Sequence, residues 1–128
     1  MKYTLLLCTT LFLSCTKNEP KNENSINGIE KWVEAQSRLD TIYFESWDSL
    51  DLLHLNRGKE VRDDYLLPKA YSGPYNYSIS GDRISLNWML SSNSAFNDYY
   101  FKINGDQMEI GNFYELEAGE ILTFEKLE

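Results

Sequence analysis

From Thr41 to Lys126 the apolar residues of this chain recur mostly at every second position, and Gly, Asn, Asp and Ser punctuate the runs. That is the period of strands with one face buried. The stretch GPYNYSISGDRISLNWML is the clearest case. Tyr75, Tyr77 and Ile79 fall on one face, and Ile84, Leu86, Trp88 and Leu90 on another, with Asn76, Ser78, Ser80, Ser85 and Asn87 opposite. The same grammar returns in YFKINGDQMEIG, so ISGDRIS and INGDQME read as two copies of one hairpin. Centring the turns on Gly81 with Asp82 and on Gly105 with Asp106 sets Ile79 across from Ile84 and Ile103 across from Met108. The rival centre, Asn104 with Gly105, sets Ile103 opposite Asp106, and a slip of one residue inverts every side chain.

Upstream, DTIYFESWDSLDLLHLNRG predicts strands around Thr41 to Trp47 and Leu50 to Asn56, joined by a tight turn at Asp48 and Ser49. At the far end Leu122 and Phe124 share a face, reached through an acidic loop with Glu115, Glu117 and Glu120. Ahead of these strands GIEKWVEAQSRL places Ile29, Trp32 and Val33 at helical spacing among good helix formers, which predicts a short amphipathic helix. The fold class expected is therefore all-β, with one short N-terminal helix. An antiparallel up-and-down meander of about seven strands either closes into a small barrel or stacks as a sandwich.

The first residues follow a different pattern. Lys2 is followed by an uncharged run from Tyr3 to Ser14, shorter than the ~20 apolar residues a spanning helix needs and shaped like a secretory leader. Phe12, Leu13 and Ser14 before Cys15 resemble the lipobox at which bacterial lipoprotein signal peptidase cuts. That resemblance implies a signal peptide over residues 1–14 and an acylated Cys15 anchoring the chain to a membrane. Two or three acyl chains hold stably where one holds marginally. Residues 15–28 contain one apolar side chain after Cys15, Ile26, among much Asn, Lys and Glu, and read as a disordered tether with a reach of ~20 Å. Residues 29–128 are the length of one domain.

Charge and cysteine content narrow the class. The chain carries 12 basic and 20 acidic side chains, and loss of Lys2 with the leader leaves 11 − 20 = −9. Nucleic acid and anionic lipid headgroups recruit Lys and Arg, so neither suits this domain as a partner. Its two cysteines are Cys8, inside the leader, and Cys15, so the expected mature chain forms no internal disulfide.

Taken together, YNYSISGDRISL, YYFKINGDQMEIGNF and the closing ILTFEK resemble the small lipocalin-like, calycin-type barrel lipoproteins of the Bacteroidota. The resemblance spans most of residues 29–128. It implies a small lipocalin-like barrel with an interior site for a small apolar molecule. With Thr16 rather than Asp after Cys15, it also implies sorting to the outer membrane, with the periplasmic and cell-surface faces both open. The tripeptides DTI at Asp40 and DSL at Asp48 resemble the motif that such bacteria glycosylate, which points to Ser49 in its turn ahead of Thr41 in a strand.

Catalytic chemistry finds little support. Nucleophilic catalysis needs a base beside the nucleophile, and the one histidine, His54, is in phase with Leu50 and Leu52 as a hydrogen-bonded strand residue would be. One His and no free Cys do not make a zinc site. The acids Asp63, Asp64, Glu115, Glu117 and Glu120 show no convergent spacing and read as solvated loop charge. The expectation is a non-enzyme without cofactor. Its inward aromatic and apolar set in a closed barrel, Tyr75, Tyr77, Leu86, Trp88 and Phe101, either fills the interior or lines a pocket for a small apolar or amphipathic ligand. The alternative is a protein-interaction module of the envelope, an assembly partner or hydrolase inhibitor.

Overall fold

The computed structural model describes residue 26 and residues 28–93, 95–115 and 119–128. The leader, Cys15, nearly all of the tether and Glu117 lie outside the described residues.

Eight strands make a closed antiparallel barrel: β1 (Glu30–Glu34), β2 (Thr41–Trp47), β3 (Leu50–Asn56), β6 (Gly73–Ser80), β7 (Arg83–Trp88), β8 (Asn97–Asn104), β9 (Gln107–Gly111) and β10 (Ile121–Lys126). Two more, β4 (Lys59–Arg62) and β5 (Tyr65–Pro68), pair only with each other, between β3 and β6. Each barrel strand pairs with the next in the chain, and β1 closes the ring on β10 through Trp32 opposite Lys126 and Glu34 opposite Phe124. The meander closes as a barrel and not as a sandwich, consistent with a lipocalin-like barrel.

The stretch expected as a helix is a strand. Glu30–Glu34 pairs with β2 on one side and β10 on the other, and a turn follows at residues 35–37. Helix propensity amounts to fractions of a kcal/mol per residue, and two ladders of backbone hydrogen bonds outweigh it. Ile29, expected on the buried side of that helix, is 73% exposed.

The turn registers follow the alternation. Ile79 stands opposite Ile84 and Ile103 opposite Met108, about turns at Gly81 with Asp82 and Gly105 with Asp106. In both turns only the glycine takes a positive φ, +60° and +62°, the pattern of a type II′ turn. Asp48 and Ser49 both take positive φ, 47° and 67°, as a type I′ turn requires. A Cβ at Gly81 would touch nothing within 4 Å, so Gly81→Ala isolates the backbone cost. We expect it to lower stability by about 1–2 kcal/mol, read from the urea midpoint, without altering the pairing of Ile79 with Ile84.

Inward-facing residues fill the barrel. Trp32, Phe44, Phe101, Phe124, Ile42, Leu53, Ile84, Met108 and Ile110 are all fully buried. At ~1.5–3 kcal/mol for each large apolar side chain, this is the main source of stability in the domain. Leu90 does not extend the inward row of β7, which ends at Trp88; Leu90 is 66% exposed.

The two ends of the barrel differ. One is closed by the two-residue turns at 48–49, 81–82 and 105–106. The other carries the four longer connections, residues 35–40, 57–72, 89–96 and 112–120, and forms a mouth.

Candidate functional site

Three strands end at the mouth with aromatic side chains turned inward: Tyr75 on β6, Trp88 on β7 and Tyr99 on β8. The long connections add Tyr71, Phe113 and Tyr114. Tyr75 stacks on Trp88 with centroids 6.4 Å apart and meets Phe113 edge-on at 5.1 Å, while Tyr71 tilts over Trp88 at 5.3 Å. Polar tips are tied to backbone. The Tyr75 hydroxyl donates to the Tyr71 carbonyl at 2.7 Å, and Trp88 Nε1 donates to the Ser72 carbonyl at 3.2 Å.

Local backbone makes this cluster. Tyr71 takes φ +64°, uncommon for a bulky side chain, and so swings the chain into β6. Gly73 follows at φ +119°, a backbone conformation that strains any L side chain, and the Cδ1 of Leu90 lies 2.8 Å from where its Cβ would stand. Arg57 joins three of the connections. Its Nη1 donates to the Ala70 carbonyl at 3.0 Å, its Nη2 lies 3.3 Å from Glu115, its Nε lies 3.8 Å from Asp40, and its guanidinium sits 4.8 Å over the Tyr114 ring.

These groups leave a cleft of about 160 Å³. Trp88, Tyr99, Phe113 and Tyr71 give it ring faces and edges, and Ser91, Asn93 and Asn97 give it polar groups. None of its lining residues carries a formal charge. Burial pushes the phenols of Tyr75 and Tyr99 above their ordinary range, so both stay protonated at neutral pH. A chain with a large acidic excess thus presents an uncharged recess at its mouth.

The five residues expected to face a ligand separate. All point inward, but only Tyr75, Leu86 and Trp88 line the cleft. Phe101 is fully buried in the filled core. Tyr77 lies further down β6, half-buried and edge-on to Phe44 at 5.2 Å, with its hydroxyl pushed up to about 12 by burial and then by Asp51 and Glu30. The interior site that the resemblance implies is filled by side chains, with the cleft at the mouth above it; a larger, open groove of about 600 Å³ lies outside the barrel, lined by Lys31, Thr41, Tyr43 and Glu45 among others. Tyr71, Asn93 and Asn97 were not singled out by alternation, because two of them lie in loops; an aromatic inside the polar run KAYSG was the available signal.

Elsewhere, His54 faces outward, stacked on Tyr43 at 4.3 Å with Nε2 2.7 Å from Glu45 Oε1. Ser49 is exposed at the tip of its turn. Asp63 and Asp64 form the turn between β4 and β5, with φ of 50° and 65°. Among the described residues no three His, Cys, Asp or Glu side chains are grouped to hold a metal ion.

No protein-family model matches this chain, and neither a curated protein nor a solved structure is significantly similar to it.

Proposed function

We propose that the protein is a non-enzymatic binding barrel, held at the outer membrane through acylated Cys15, whose mouth cleft takes one small, uncharged, amphipathic ring. The observation that carries this reading is the uncharged aromatic recess above a filled interior. Its size decides the ligand class: about 160 Å³ compares with the ~150 Å³ cavity that holds benzene and falls below the ~300–1,000 Å³ of sites for larger ligands. A fatty acid does not fit this cleft. Aromatic faces with Ser91, Asn93 and Asn97 beside them suit a ring with polar edges.

The test is calorimetric titration with p-cresol, a neutral ring with one polar edge. Saturable binding is expected, weakened about tenfold or more by Trp88→Ala and unchanged by Tyr77→Phe, with no binding of palmitate. Absence of saturation, or equal affinity in Trp88→Ala, rejects the reading. The anchor is tested separately by Cys15→Ala, which should move the protein out of the membrane fraction, and Ser49 glycosylation by a mass shift lost in Ser49→Ala. The lipobox resemblance of Phe12, Leu13 and Ser14 before Cys15 supports that anchor.

A second reading has an observation of its own. Met89, Leu90 and Phe96, all in the 89–96 connection, stand 46%, 66% and 49% exposed on the rim. An envelope protein seated there would be lost on Leu90→Glu with Phe96→Glu, while p-cresol binding would persist.

A further inference from the structure

The barrel does not use β4 and β5. Their ten-residue hairpin, Lys59–Pro68, forms a separate two-stranded sheet, and Val61, Tyr65 and Leu66 are 70%, 70% and 62% exposed on it. An isolated hairpin is marginally stable in water, and exposed strand edges invite pairing. We propose that β4 pairs with β4 of a second copy of this chain, antiparallel about a two-fold axis at Val61.

Backbone direction selects the edge. Lys69 N donates to the Gly58 carbonyl at 3.1 Å, and Arg62 stands opposite Tyr65 across the two-residue turn. Residues 58, 60 and 62 therefore turn their backbone groups toward β5, and Lys59 and Val61 turn theirs outward. On β5 the outward positions are Leu66 and Pro68. Proline has no N–H to offer, and its carbonyl already accepts from Arg62 Nη2 at 2.9 Å, so the β5 edge is blocked and the β4 edge is open.

Charge selects the occupant. Read along β4 and into its turn, Lys59, Glu60, Val61, Arg62 and Asp63 are complementary to their own reverse. With Val61 opposite its copy, Glu60 meets Arg62 of the second copy, twice by symmetry, and Lys59 comes up to the turn that carries the second copy's Asp63. The existing Glu60 to Arg62 ion pair at 3.1 Å then extends into a ring of four charges. Val61 and Leu66, which share a face, continue across the axis as one apolar stripe. The contact is small, so the dimer is weak in solution, and a shared membrane anchor would raise its occupancy by effective concentration.

Sedimentation of the full chain in a neutral detergent, at up to about 1 mM, reads the association. Dimers are expected, weakened about tenfold by Glu60→Arg or by Arg62→Glu alone, since each sets like charges opposite one another twice. Mixing the two single variants should restore dimers, because each then supplies what the other lacks; an effect confined to the ion pair within one chain would not be restored by mixing. Val61→Pro should abolish association while circular dichroism of the barrel stays unchanged. A monomer at the highest concentration, a dimer indifferent to either reversal, or failure of the mixture to associate overturns the proposal.

Discussion

Trp32→Ala is expected to lower the unfolding midpoint by on the order of 15–30 °C. Trp32 is fully buried and sits on β1, the strand that closes the ring, opposite Ile42 on one side and Lys126 on the other. Truncating a buried aromatic costs about 3–5 kcal/mol, a large share of the ~5–15 kcal/mol that holds a domain together. In a domain of this size each kcal/mol moves the midpoint by roughly 4–8 °C. Trp32→Phe is the informative contrast. The indole Nε1 is buried with no partner among the described residues, so replacing it loses volume and no hydrogen bond, and the cost should fall to about 1 kcal/mol. Lys126 Nζ lies 5.7 Å over the indole ring and a phenyl ring keeps part of that contact. A thermal midpoint in Trp32→Ala within a few degrees of the parent would mean that β1 does not close the barrel.

Glu34→Ala should cost about 2–3 kcal/mol at neutral pH, and most of that difference should vanish in acid. Glu34 ends β1, and its buried carboxylate holds the turn into β2. It accepts from the Gln36 amide at 2.9 Å, the Ser37 amide at 2.5 Å and the Ser37 hydroxyl at 2.6 Å. Hydrogen bonds to a charged acceptor are worth ~1.5–3 kcal/mol, and removing the acceptor leaves turn amides unpaired. Burial alone would raise the carboxyl pKa, but the bonds from Ser37, Gln36 and Arg38 outweigh it and the net shift is downward. A lowered folded-state pKa favours the ionised form on folding, so this stabilisation is present above the unfolded value of about 4.3 and is lost as pH falls through the folded one. The gap between wild type and Glu34→Ala in urea midpoint should therefore be widest near pH 7 and narrow steadily below about pH 4. A gap that stays constant from pH 7 to pH 3 would exclude this role for the carboxylate.

Where alternation was strict, the chain could be read position by position. Tyr75, Tyr77 and Ile79 against Ile84, Leu86 and Trp88 fixed a register that the structure repeats, because a one-residue slip would have exposed six large side chains at once. Helical spacing misled at Ile29, Trp32 and Val33, since five residues fit either period and only the two neighbouring ladders decide between them. The hairpin at 59–68 escaped notice for another reason: Asp63 with Asp64 is a weaker type I′ signal than Asn-Gly or Asp-Gly, and the strands on either side have four residues each. The cleft was half legible. Its strand members, Tyr75, Leu86 and Trp88, follow from alternation, whereas Tyr71 and Phe113 arrive from loops whose path depends on Gly73, Arg57 and the Asn112 side chain that accepts from the amides of Tyr114 and Glu115.

β1 begins, and β10 ends, at the pole with the two-residue turns, where Lys126 N donates to the Asp106 carbonyl and Leu127 N to the Lys31 carbonyl. Any force applied upstream of Gly28 therefore pulls on the base of the molecule. As with a goblet gripped by its stem, the rim lies at the end away from the grip, and a visitor reaching it meets Met89, Leu90 and Phe96 first and then Tyr71 over Trp88.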